Sequence, residues 1–217
     1  MSDDAEKPVK KNVPYLAILL GGFATLAAGL LIAGNNLTHD EIRKRLMEDT
    51  QRSLNQVIPT DIHDNNLLND KITVKDHGKD IEVYRATKDD KVVAVAYQTT
   101  GQGYGGAILL IMGVKADGSI LGVRVLSHSE TPGLGDRIEE KKSRWIYSFN
   151  GHSLENTTSK QWAVKKDGGI FDQFSGATIT PRGVVKAVKQ GLTFFKMNSN
   201  QLTSVSKETA STETKSK

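Results

Sequence analysis

Between Asn12 and His39 the chain has no Asp, Glu, Lys or Arg, and within that gap Pro14 to Ala33 (PYLAILLGGFATLAAGLLIA) is almost wholly apolar. As a helix, a run of this length covers about 30 Å, the thickness of a bilayer's hydrocarbon core. It is longer than the apolar core of a cleavable signal, and LIAGNN is a poor cleavage site. The pattern therefore predicts an uncleaved membrane anchor over residues 14–34. Ala17, Gly21, Thr25 and Gly29 form a small-residue stripe along it that would admit a neighbouring helix, although Gly and Ala are also common in any membrane helix. Lys7, Lys10 and Lys11 precede the anchor; Arg43, Lys44, Arg45 and Arg52 follow it. Flanking charge thus leaves orientation open. A single anchor with a short head places residues 1–13 in the cytoplasm by default.

After the anchor the pattern becomes helical, then alternating. Thr38 and Glu41 read as a capping box, and Ile42, Leu46, Leu54 and Val57 recur at helical spacing up to Pro59. This predicts a separate amphipathic helix, with residues 60–79 as an irregular connector. DIEVYRAT (80–87) and KVVAVAYQTT (91–100) read as strands joined near Lys88-Asp89-Asp90. GAILLIMGVK (106–115) and SILGVRVLSH (119–128) read as a second pair, joined through Asp117-Gly118. From about Asp136 a helix is expected, burying Ile138, Trp145 and Phe149. QWAVKKDGG (161–169) reads as a strand. Val184, Val188, Leu192 and Phe195 mark a last helix over 182–197, with Thr180 as its N-cap and Pro181 at its first position. Residues 198–217 are polar and read as a disordered tail. The expected class is α+β: one membrane helix followed by one antiparallel-sheet domain over 80–197.

Composition changes this picture little. The 217 residues carry a formal charge of +4 without a long basic block, which argues against a nucleic-acid partner. Absence of cysteine removes disulfides, thiolate zinc and cysteine-bound iron–sulfur clusters. The five histidines show no metal-ligand spacing, so no metal site is expected.

The chemistry concentrates in DQFSGATITP (172–181). Gly176 and Ala177 leave room for a bulky group near the backbone. Thr178 presents a hydroxyl just before a helix start, where unpaired N–H groups and the helix dipole favour an anion. Together these suit a phosphorylated ligand; the same residues also suit a plain tight turn into a helix. Trp145 and Trp162 read as core, and Tyr104 in GQGYGG (101–106) as an exposed loop residue or one that stacks on a ring.

Asp172-Gln173-Phe174-Ser175-Gly176-Ala177-Thr178 resembles the flavinylation motif Asp-x-x-(Ser/Thr)-Gly-Ala-Thr at every defined position. GYGGAILLIMGV, HSETPGLGDRI, KSRW and WAVKKDGGIFDQFSGATITPRGVV, with the anchor, resemble the G subunit of Rnf/Rsx-type ion-translocating electron transport complexes, in family order over roughly residues 14–197. The resemblance implies FMN bound covalently, its phosphate esterified to Thr178 by a flavin transferase that reads Asp172. It implies Ser175, Gly176, Ala177 and Thr180 as flanking contacts, and the ETPGLG loop (Glu130, Thr131, Leu134) near the isoalloxazine. It also implies an electron-carrier subunit of the bacterial inner membrane, its domain periplasmic, docked on other subunits of a complex that couples ferredoxin–NAD electron transfer to ion movement. No turnover is expected of this chain alone. A C-type subunit of a sodium-pumping NADH:quinone reductase, or a membrane-anchored assembly module without redox function, are the alternatives.

Overall fold

The computed structural model describes residues 13–76 and 78–204. They divide into two compact units, one ending at Glu48 and the other beginning at Asp49.

In the first unit the helix α1 (Val13–Val57) opens with Pro14–Ile32, a stretch of mean hydropathy 2.1. No side chain in that stretch is buried within the protein. Length and composition make it a candidate membrane span. Thr25 Oγ1 donates to the carbonyl of Gly21 one turn back, which satisfies the hydroxyl inside the helix.

The second unit is built on a five-stranded antiparallel meander in the order β1-β2-β3-β4-β5. Its strands are β1 (Lys71–Asp76), β2 (Lys79–Lys88), β3 (Lys91–Gln102), β4 (Ala107–Lys115) and β5 (Ile120–Ser127). The β2–β3 hairpin closes on Asp89 and Asp90, both at positive φ, the conformation a two-residue primed turn needs. One face of the sheet carries Val83, Val95, Tyr97, Leu110, Met112 and Val114. It is covered by the carboxyl-terminal helix α2 (Ile179–Thr203), through Val184, Val188, Leu192 and Phe195. A lobe of short 3₁₀ turns extends this core, with Phe149, Trp162 and Phe171 ring to ring; Phe149 and Phe171 stack at 4.7 Å. The opposite face carries Tyr84, Ala86, Ala94, Ala96 and Ile111, covered by Leu54, Val57, Ile58 and Leu67.

Several expectations are corrected. The backbone stays helical from Val13 to Val57, so the Thr38–Glu41 capping box starts no new helix: no proline interrupts the run, and the helix before it does not end. Of that helix's apolar series, Leu54 and Val57 are buried while Leu46 is exposed; the side chain of Ile42 lies outside the described residues. The connector holds strand β1, whose KITVKD alternation inserts Val74 into the core. The segment after Gly135 forms no α-helix, only 3₁₀ turns at Gly135–Ile138 and Trp145–Phe149. Ile138 and Phe149 are still fully buried, because tertiary packing holds them without helical periodicity. QWAVKKDGG is likewise no strand: a single Val164–Phe171 bridge flanks the turn Lys165–Asp167. Helix α2 reaches Thr203, so residues 198–203 are ordered helix with Leu202 buried, and the rest of the polar tail beyond Ser204 lies outside the described residues.

Candidate functional site

The motif segment lies where the lobe of 3₁₀ turns meets the start of α2. Its upstream end is pinned three times. Phe174 is buried against Trp145, ring centroids 5.2 Å apart. Trp145 Nε1 donates to the Asp172 carbonyl at 2.8 Å. The Lys166 N–H donates to Gln173 Oε1 at 3.2 Å. The Asp172 side chain faces outward and pairs with Lys165 Nζ at 2.6 Å. Ser175 and Gly176 then bulge into solvent, and Gly176 turns the chain at φ +80°. The Ala177 N–H closes the bulge on the Phe174 carbonyl at 3.1 Å.

Helix α2 starts two residues earlier than the Thr-Pro dipeptide implied, and Thr178 takes the N-cap position in place of Thr180. Pro181 remains within the first turn, where its missing N–H leaves no donor unpaired. Thr178 makes no side-chain capping bond, and its half-buried hydroxyl has no partner among the described residues. Arg182 anchors the turn with a bidentate pair to Asp167, both contacts at 2.6 Å. The guanidinium beside it holds the Asp167 carboxyl below the usual carboxylate range.

The predicted contacts separate into two groups. Thr180 is fully buried, and its hydroxyl donates inward to Glu130, itself only 5% exposed. Thr131 is exposed, and its carbonyl accepts the N–H groups of Leu134 and Gly135, both at 3.1 Å, shaping the loop. The nearby Gly133 backbone N–H and the Lys142 ammonium hold the Asp136 carboxyl below its ordinary range. Leu134 is exposed and lies over the bulge: a β-carbon on Gly176 would meet its Cδ2 at 3.7 Å and nothing else. Tyr104, Leu134 and Ile179 are 75%, 45% and 48% exposed, an unusual state for large apolar side chains in this unit, and each sits on a segment of the site. Ile179 was missed from the sequence; its position between the two threonines was the available signal. Asp167 and Arg182 were also missed as a pair, since only the fold brings them to the motif.

This arrangement fits a flavin phosphate and its ring: an unpaired hydroxyl at a helix start, a small-residue bulge with open space, and an apolar collar. A separate cleft of about 460 Å³ opens between β3 and the second half of α2, among Tyr97, Thr99, Gln190, Phe194 and Met197. No motif residue lines it. Trp162 is buried in the aromatic lobe, as core, and Trp145 is half-buried against the motif. Among the described residues no group of three or more His, Asp or Glu gathers as metal ligands.

The profile of the FMN-binding domain family matches residues 103–193. The chain is 46% identical over 211 residues to the G subunit of the ion-translocating oxidoreductase complex of Cereibacter sphaeroides, covering 93% of this chain and 96% of that protein. It is 48% identical to the corresponding G subunit of Stutzerimonas stutzeri (85% and 82% covered) and 42% identical to that of Shewanella loihica (89% and 94% covered). Among solved structures, Shewanella oneidensis NqrC aligns with a TM-score of 0.46 at 27% identity, over 67% of this chain and 73% of that one. With a flavin-domain profile laid across the motif and full-length relatives at this level of identity, the chain belongs to the G-subunit family of the ion-translocating oxidoreductase complex.

Proposed function

We propose that this chain is a membrane-anchored electron-carrier subunit whose FMN is esterified through its phosphate to Thr178. The observation that carries the reading is the Thr178 hydroxyl. It is unpartnered at the amino end of α2, inside a complete Asp-x-x-Ser-Gly-Ala-Thr segment. When bound, FMN supplies one- and two-electron chemistry. The chain's own residues do the rest. The helix start stabilises the phosphate, Gly176 lets it approach the backbone, and Tyr104, Leu134 and Ile179 offer apolar surface to the ring. Asp172, exposed and paired with Lys165, is the residue offered to a flavin transferase, which must displace the lysine to read the carboxylate.

Pro14–Ile32 anchors the chain in the bacterial inner membrane, with the sheet domain on the periplasmic side. The names of its relatives place them in a multi-subunit ion-translocating oxidoreductase. By that family relation, this subunit relays electrons within a complex that links ferredoxin and NAD to ion movement, and its anchor docks against the other membrane subunits. The test is intact mass after denaturation of chain produced with its flavin transferase. Wild type gains the mass of FMN less one water; Thr178→Val gains none. No gain in either sinks the covalent reading, and free flavin in the supernatant would then mark a non-covalent binder.

A further inference from the structure

Glu130 is the most heavily engaged buried carboxylate of the domain. Oε1 accepts the Gly105 N–H at 2.8 Å. Oε2 accepts the Tyr104 N–H at 3.3 Å and the Thr180 hydroxyl. The backbone N–H of Glu130 donates to His128 Nδ1 at 3.0 Å, and His128 Nε2 reaches Glu139 at 2.9 Å. No ion pair to Glu130 occurs among the described residues. Three glycines are crowded by the same residue or its neighbour. A β-carbon on Gly103 would lie 2.2 Å from Oε1, and one on Gly135 2.9 Å from Oε2. One on Gly105 would lie 1.9 Å from the Ser129 carbonyl.

The segments drawn together in this way carry the apolar collar. Tyr104 belongs to the first, Leu134 precedes Gly135 in the second, and Ile179 precedes Thr180 in the third. We infer that Glu130 is a positioning residue: its buried carboxylate ties its own loop, which carries Leu134, to the Tyr104 loop and to Thr180 in the first turn of α2, and sets a fixed negative charge beside the motif that lowers the reduction potential of the flavin.

The inference rests on the proposed flavin reading, but its two parts separate by experiment. A buried charge acts with little screening, and a negative one disfavours added electrons nearby. Glu130→Gln removes the charge; its amide oxygen can still accept from Gly105 and its NH2 donate to the Thr180 hydroxyl, and only the longer Tyr104 N–H contact loses its acceptor. Thr180→Val removes one hydrogen bond and keeps the charge.

The full chain, made with its transferase and checked for flavin by intact mass, is titrated by spectroelectrochemistry. Glu130→Gln is expected to shift the equilibrium toward reduced flavin at least tenfold, about 30 mV for a two-electron couple. Thr180→Val is expected to stay within about twofold of wild type, roughly 9 mV by the same conversion. An unchanged potential in Glu130→Gln overturns the charge, and so does an equal shift in Thr180→Val, which would trace the effect to loosened geometry.

Assembly is read without flavin. In the full chain made without transferase, Glu130→Ala is expected to speed hydrogen exchange at the Gly105 amide at least about tenfold, the loss of a charge-assisted bond. Unchanged exchange overturns the positioning role. If wild type carries no FMN, the flavin reading fails by mass while the exchange comparison still judges the assembly. If Glu130→Gln alone carries none, the charge is overturned as a tuner of potential, its role being in attachment, and the exchange comparison judges the assembly.

Discussion

The two faces of the sheet are built on opposite principles. The face under α2 is bulky: Tyr97, Met112, Phe194 and Phe195 interlock, and an aromatic lobe extends it toward the motif. Side chains tie it across, with the Tyr97 hydroxyl donating to the Gly191 carbonyl at 2.8 Å. The face under the end of α1 has small residues at its centre, with Tyr84 and Ile111 its larger buried side chains. Ala86, Ala94, Ala96, Gly113 and Gly122 let the helix backbone come down onto the strands, and a β-carbon on Gly113 would lie 2.2 Å from the Val57 carbonyl oxygen. A face of large side chains is sensitive to atoms removed; a face of close backbones is sensitive to atoms added. The motif segment adjoins the first kind, packed on the aromatic lobe through Phe174 and Trp145.

This contrast can be broken by measurement, using chemical unfolding of the full chain in detergent. The largest effect is expected for Phe171→Ala, which empties the centre of the aromatic lobe, at about 4 kcal/mol. A loss near 1 kcal/mol would mean the lobe collapses to fill the space, and the first face is not the rigid one. Gly113→Ala adds one carbon to the second face against backbone that cannot step aside, and is expected to cost about 2–3 kcal/mol. A cost under about 0.5 kcal/mol would show slack between helix and sheet, and the distinction would fail. Tyr97→Phe deletes a buried hydrogen bond from the first face without changing its volume much, for a loss of about 1 kcal/mol.

Gly191→Ala sharpens the comparison. It too adds one carbon, 2.3 Å from Met112 Sδ. That neighbour is a flexible side chain, and alanine in a helix gains about 1 kcal/mol over glycine, so the net cost is expected below about 1 kcal/mol. The smallest effect concerns the start of α2. Arg182 lowers the Asp167 pKa, so this pair contributes above the ordinary carboxylate range and is lost as pH falls through the lowered folded value. An NMR titration is expected to place the Asp167 midpoint below 3.8, and Arg182→Gln to raise it. A midpoint unmoved by that substitution would remove the ion pair from the account of the helix start.

The reading of the sequence succeeded where a local signal had one meaning. The strands β2 to β5 alternate or run apolar between turn residues, and Asp89-Asp90 and Asp117-Gly118 mark their hairpins. It failed where helical or extended patterns sat in a segment held by contacts from elsewhere. Ile138, Trp145 and Phe149 read as one helix face, yet Ile138 and Phe149 are buried from 3₁₀ turns and Trp145 is only half-buried. At the site, the motif named Thr178 and its neighbours, but Thr180 proved to point inward, since its partner Glu130 lies 50 residues away and no short-range pattern pairs the two.

The sequence by itself determined a candidate membrane span, an antiparallel sheet, a final amphipathic helix and a threonine hydroxyl at that helix's start. Each follows from periodicity, capping chemistry or an unbroken apolar run, which act over a few residues. Only the tertiary structure decided that the end of α1 (Leu54, Val57) packs on the sheet, that Lys165 holds Asp172, and that one buried carboxylate bonds both the Tyr104 loop and the first turn of α2. Those outcomes depend on which distant atoms share the same low-dielectric space, and short-range pattern carries no record of that.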